Sequence, residues 1–309
     1  MTLRSRGRHS CMSKKVEDWS ALDGACHKVS GWVARATRPT AIKNALSGTW
    51  LGHSLHPVLT DLPIGAWATA SFLDVTAGPA GAESARRLVG VGLIATVPTA
   101  AAGASDWSDT YGPAQRAGFV HALCNVTATV MQAASWVARG RGRRRAGMVL
   151  SGAGLAMTAV GSYLGGRLSL VHGVGVNHTA FQGTITEWTD VAALSALGDG
   201  RPLRVTADGV PVMLVQADGV LHALSATCTH AGGPLDEGAV VGDDCVRCPW
   251  HGSVFRLADG KVKRGPATVD APRWDVKVHD GRVLVRSATG DREPVRATVR
   301  RSEPAMTPS

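Results

Sequence analysis

Cys-Thr-His-Ala-Gly-Gly-Pro-Leu at residues 228–235 and Cys-Pro-Trp-His-Gly-Ser-Val-Phe at residues 248–255 decide how the C-terminal part of this chain is read. The first stretch gives a C-x-H pair, Cys228 and His230; the second gives a C-x-x-H pair, Cys248 and His251, after 17 intervening residues. Two thiols and two imidazoles at such short spacing make a donor set for a transition metal, one sulfur and one nitrogen from each loop. Gly232, Gly233 and Gly252 suit loops that fold tightly over such a centre, and Pro234 and Pro249 stiffen them. Tetrahedral zinc accepts the same donors, and Cys245-x-x-Cys248-x-x-His251 offers three of its ligands within one stretch.

Both stretches closely resemble those of the Rieske ferredoxin family. The resemblance implies a single 2Fe-2S cluster in which two histidines replace two cysteines on one iron: Cys228 and Cys248 on the ferric side, His230 and His251 on the iron that takes the electron. It runs from about residue 184 through 286, taking in the Asp259-Gly260 turn and Gly265-Pro266-Ala267. Quinol-oxidising members carry a further cysteine in each loop and join the two by a disulfide. Gly233 and Trp250 occupy those positions here, so the resemblance is to the ferredoxin type and implies the lower half of a range of about −150 to +300 mV. Around the cluster it implies Gly233, Trp250, Ser253, Phe255 and Pro266. Ser253 has a hydroxyl to offer a bridging sulfur, and Phe255 lacks the one a tyrosine would supply. Cys245 is expected to point into the core from a strand.

Short alternating runs at 203–207, 210–215, 220–224, 274–278 and 283–285, punctuated by Asp208-Gly209, Asp218-Gly219 and Asp280-Gly281, predict antiparallel hairpins in an all-β domain over 184–287. An oxygenase would need a second domain with a two-histidine, one-carboxylate iron site. Only residues 288–309 follow, without a histidine, and they are expected to form a disordered tail.

The first half reads differently. Segments 88–104, 117–138 and 146–166 lack Lys, Arg, Asp and Glu and have bilayer-spanning length; 58–77 is a fourth candidate that holds Asp61, Pro63 and Asp74. The fold expected is therefore multi-domain: a polar, partly amphipathic arm (1–51), a four-helix transmembrane α bundle (52–166), a Gly-rich tether (167–183) and the β domain. Gly52-His-Ser-Leu-His-Pro57, Asp61-Leu-Pro-Ile-Gly65, Asp106-Trp107 and the stretch 116–125 are similar to an uncharacterised four-helix membrane family that occurs fused to Rieske domains. That family supplies a fold and no activity.

Four crossings would put His53, His56, Asp61, His121 and His172 near one membrane face. His121 and Asn125, one turn apart, share a helix face. Such groups suit haem, a metal, a quinone head group or a proton relay, and they equally suit helix capping and pairing with Asp61 and Asp106. The net charge of +9 includes Arg139, Arg141 and 143–145 in one loop and Arg86 and Arg87 in another, which fits positive-inside bias and not nucleic-acid binding. Nine Lys and Arg before Gly52 pull the other way, so the side carrying the β domain stays open. No apolar core follows the basic start, so no cleavable signal is read.

These features predict a membrane-anchored one-electron carrier in the lipid bilayer, served by a reductase, an oxygenase or a respiratory component. The alternatives are a quinone- or haem-linked membrane oxidoreductase using the histidine-rich edge, and a non-enzymatic redox or metal sensor.

Overall fold

The computed structural model describes residues 10–242 and 244–288, and the chain divides into two compact units, Met1–Val176 and Asn177–Ser309. The tail expected at 288–309 lies, beyond Ala288, outside the described residues.

The first unit is helical: α1 (Ser10–Glu17), α2 (Asp23–Ala36), α3 (Thr40–Ser47), α4 (Leu55–Thr76), α5 (Ala82–Trp107), α6 (Gly112–Gly140) and α7 (Arg144–Leu170). The arm expected at 1–51 thus carries three helices among the described residues. Four long helices follow, and two segments, Gly78–Trp107 and Arg144–Leu170, are long and apolar enough to cross a membrane. α4 and α6 fall short of that composition because each carries polar side chains through its length, among them Asp61 and Asp74 on α4 and His121, Asn125 and Gln132 on α6.

α4 packs on α5, α5 on α6, α6 on α7, and α7 returns to α4. α4 runs through Pro63 without breaking. Proline has no N–H for the carbonyl of Leu59, and the Thr99 hydroxyl of α5 donates to that carbonyl at 3.1 Å. The α6/α7 seam matches polar side chains to small partners. Gly154 makes room for Gln132 and Gly147 for Arg139, while Gln132 Nε2 donates to Ser151 O at 3.1 Å and Ser135 Oγ to Gly147 O at 2.6 Å. Small residues let the helices approach, and polar groups then find partners across the seam.

The second unit is built from antiparallel sheets. β2 (Leu203–Ala207), β3 (Val210–Ala217) and β4 (Val220–Ser225) form one; β9 (Trp274–His279), β10 (Arg282–Ser287) and β1 (Thr189–Ala193) a second. β5 (Ala239–Val241), β6 (Cys245–Arg247), β7 (Val254–Arg256) and β8 (Val262–Arg264) form the third. The three Asp-Gly pairs are two-residue hairpin turns with positive φ at both positions: Asp208 at 44° and Gly209 at 83°, Asp218 at 50° and Gly219 at 73°, Asp280 at 48° and Gly281 at 71°. That backbone matches the right-handed twist of the strands.

β3 is apolar on both faces because each face serves a core. Val212 and Leu214 pack with Val205, Leu221, Trp274, Val283 and Val285. Met213 and Val215 pack with Leu224, Leu235, Val246, Phe255 and Leu257, and this second core reaches Cys228 and Cys248. Besides the two cysteines, this core holds eleven buried apolar residues.

Candidate metal centre

Cys228 and Cys248 stand at the same position of two loops with one hydrogen-bonding plan. Cys228 N–H donates to Gly233 O at 2.8 Å and Gly232 N–H to Cys228 O at 3.0 Å; Cys248 N–H donates to Ser253 O at 2.8 Å and Gly252 N–H to Cys248 O at 3.1 Å. Gly232 and Gly252 turn these loops at φ of 76° and 71°, where a side chain would be strained. The N–H groups of His230 and Ala231 address the Cys228 sulfur, and those of Trp250 and His251 the Cys248 sulfur.

The two cysteines are 1% and 2% exposed and are not joined by a disulfide. Their sulfurs share a hydrogen bond, which draws the Cys248 thiol down to about 7 and pushes the Cys228 thiol up. The imidazoles of His230 and His251 meet with ring centres 4.9 Å apart at 81°. Nδ1 of His230 and Nε2 of His251 are buried, while each ring as a whole is half-buried. Two sulfurs beneath and two imidazoles toward the surface fit the donor set of a 2Fe-2S cluster with histidines on one iron. Gly233 fits it too, since a Cβ there would lie 3.0 Å from the Cys248 sulfur.

Around the donors, Ser253 is fully buried and its hydroxyl accepts the Ala267 N–H at 3.0 Å, next to Pro266. Phe255 is fully buried in the core below, and Trp250 is 54% exposed beside His251. Cys245 departs from its expected place: it is half-buried, donates to Asp244 Oδ1 at 3.2 Å, and has its thiol pushed up to about 11 by burial and by that carboxylate. Val246, its neighbour on β6, takes the core side instead.

Three residues brace the cysteine loops from distant segments, a role the sequence reading gave none of them; it placed His178 among the histidines near one membrane face. His178 N–H donates to Thr229 O at 3.0 Å and Thr229 Oγ1 to Val269 O at 2.7 Å, tying the first loop on two sides. Arg264 donates to Gly252 O at 3.1 Å and Gly265 O at 3.0 Å, tying the second. Nothing in local spacing marks these contacts.

The six residues predicted at the membrane edge separate. His53 is exposed with Nδ1 3.0 Å from Ser54 O, and Asp61 is exposed on α4. His172 Nε2 is 3.1 Å from Glu17 Oε1. His56 and His121 come together at 6.3 Å between ring centres, and the Asn125 amide lies beside the His121 ring.

Residues 187–279 match the Rieske [2Fe-2S] domain, and residues 52–178 match a domain described as a predicted membrane protein, DUF2231. The chain is 34% identical over 98 residues to apoptosis-inducing factor 3 of Homo sapiens, across 32% of this chain and only 16% of that protein's length. It is 33% identical over 99 residues to ferredoxin CarAc of Metapseudomonas resinovorans, across 32% of this chain and 92% of the ferredoxin. It is 29% identical over 99 residues to the ferredoxin component of the naphthalene 1,2-dioxygenase system of Pseudomonas putida, across 32% of this chain and 94% of that protein. None of these three names mentions haem or quinone.

Proposed function

This chain belongs to the Rieske [2Fe-2S] family through residues 187–279, with a DUF2231 domain ahead of it, and from that membership we infer a one-electron carrier fastened to a membrane. Cys228, His230, Cys248 and His251 hold one 2Fe-2S cluster, which when bound takes up and returns a single electron. Two pairings carry the reading: imidazole centres 4.9 Å apart, and two buried sulfurs within hydrogen-bond reach of each other. N–H groups of residues 230, 231, 250 and 251 meet the thiolates and offset their negative charge, while the core under the loops keeps water out. His230 and His251 lie outermost, where their second nitrogens exchange a proton as the charge of the site changes. Trp250 offers a partner an exposed aromatic face beside His251.

Anchoring rests on the inside-out character of the helical unit. Phe72, Val75, Ile94, Val97, Val130 and Val149 are 62–81% exposed, while Asp74, Gln132, Ser135, Arg139 and Ser151 are buried. A bundle in water shows the opposite distribution. α4 to α7 run 22 to 29 residues each, enough for four crossings. Relatives named as ferredoxin components of dioxygenase systems support a reductase as electron source and an oxygenase as acceptor.

The test is the dithionite-reduced full chain, purified in detergent. It gives the EPR signal of a Rieske cluster and about two irons per chain, and His230→Ala or Cys248→Ser removes both. Zinc in place of iron sinks the carrier reading. Release of the chain from isolated membranes by alkaline carbonate would sink the anchoring.

A further inference from the structure

His56 and His121 stand on α4 and α6, which occupy opposite corners of the helical unit: each packs on α5 and α7. The two rings nevertheless meet, 6.3 Å between centres and 84° between planes, so both side chains reach inward across the bundle. Glycines on the other two helices make room for them. A Cβ at Gly103 of α5 would lie 2.6 Å from His56 Cε1, and one at Gly165 of α7 would lie 3.0 Å from His121 Cε1. All four helices thus contribute to one level of the interior.

Each imidazole has its Nδ1 tied to a backbone carbonyl of a neighbouring helix: His56 to Thr99 O at 2.9 Å, His121 to Gly161 O at 2.7 Å. A carbonyl only accepts, so Nδ1 carries a proton in both rings, and in the neutral imidazole Nε2 keeps its lone pair. The Asn125 amide nitrogen donates to His121 O at 2.9 Å and lies beside the ring, 3.2 Å from Nε2 and 3.4 Å from Nδ1. A ring locked through Nδ1–H to a carbonyl, with Nε2 as the donor, is how metal-ligating histidines are oriented. Bundle cores are built to hold metals and cofactors from facing helices in this way.

We propose that His56 and His121 are the two protein ligands of a metal centre inside the helical unit, separate from the Rieske site. Metal–imidazole bonds of about 2.0–2.1 Å put each ring centre about 3.2 Å from the metal, so rings on opposite sides of one centre stand about 6.4 Å apart. The observed separation of ring centres is 6.3 Å. Among the described residues no third His, Cys, Asp or Glu joins the pair. The centre is therefore one that two imidazoles satisfy: a haem iron, whose macrocycle fills the equatorial positions, or a single ion of the kind imidazole favours.

The experiment is metal analysis and optical spectroscopy on the full chain purified from membranes, followed by titration with Cu²⁺. A Soret band with a third iron per chain identifies haem. One equivalent of another metal in the isolated protein, or of added Cu²⁺ bound with two-nitrogen hyperfine structure in EPR, identifies a bare ion. The double variant His56→Gln/His121→Gln keeps an amide that can hydrogen-bond and loses the signal at least tenfold, while its Rieske EPR signal and helical circular dichroism stay unchanged. His53→Gln changes nothing. Absence of any such metal from the isolated protein together with absence of Cu²⁺ binding, or binding that survives the double variant, overturns the proposal. Because the cluster signal is read in the same samples, failure here is distinct from failure of the carrier reading.

Discussion

Asp74 near the end of α4 and Arg139 near the end of α6 face each other as a bidentate ion pair with 3% of each side chain exposed. Arg139 Nε also donates to Ser135 Oγ at 3.1 Å, while Arg144 donates to the Asp74 backbone carbonyl at 2.8 Å and pairs with its carboxylate at 3.7 Å, so the ion pair lies in a network. Removing one partner strands the other charge away from water, which costs about 3–5 kcal/mol. Asp74→Leu or Arg139→Leu is expected to lower the thermal midpoint of the detergent-solubilised chain steeply. The double variant is expected to recover much of that loss, since neither of the two deeply buried charges remains. Circular dichroism melts of the three variants check this.

Gly233→Ala is expected to cost cluster occupancy. Its Cβ would fall 3.0 Å from the Cys248 sulfur and 3.1 Å from two Trp250 ring carbons, tighter than ordinary contact. Trp250 is exposed and can move; Cys248 is held by the backbone and cannot. Visible absorbance per chain after purification measures the effect, with Gly24→Ala, where nothing lies within 4 Å, as the control.

Ser253 accepts the Ala267 N–H, which leaves its hydroxyl proton for a second partner. A hydrogen bond worth about 1 kcal/mol to the reduced centre corresponds to about 40 mV for one electron. Ser253→Ala is expected to lower the midpoint potential by an amount of that order. A potentiometric titration followed by EPR reads it, and an unchanged potential would mean the hydroxyl does not face the cluster.

Glu17, at the end of α1, receives Arg167 Nη2 at 2.6 Å and lies 3.1 Å from His172 Nε2. Burial pushes its carboxyl up, but the hydrogen bonds and charges of Arg167 and His172 outweigh this and hold it below its ordinary value of 4.5. A carboxyl depressed in the folded state stabilises that state above 4.5, and the contribution fades as pH falls below 4.5 and is gone beneath the depressed value. Acidification through this window is expected to loosen α1 before the helices beyond it. Faster hydrogen exchange over residues 14–17 between pH 5 and pH 3, after correction for intrinsic rates, is the readout, and Glu17→Gln is expected to abolish the pH dependence.

The sequence alone determined the parts of this protein whose physics is local. Cys-x-His and Cys-x-x-His spacing defined the donor set, because a two- or three-residue span limits how far two ligands can separate. The Asp-Gly pairs at 208, 218 and 280 marked their hairpins, because few other dipeptides accept positive φ twice in succession. Long runs free of charge marked three of the long helices, α5 to α7. Tertiary structure alone decided which residues meet. His178, Arg264 and Val269 brace the cysteine loops from up to 51 residues away, and Cys245 turns from the core because β6 gives that side to Val246. Of the six polar residues predicted to share one membrane edge, His56 and His121 meet, with Asn125 beside His121, while His53 and Asp61 face outward and His172 binds Glu17. Helix packing fixes which side of each turn faces inward, and spacing within one segment carries no record of the helix that will pack against it.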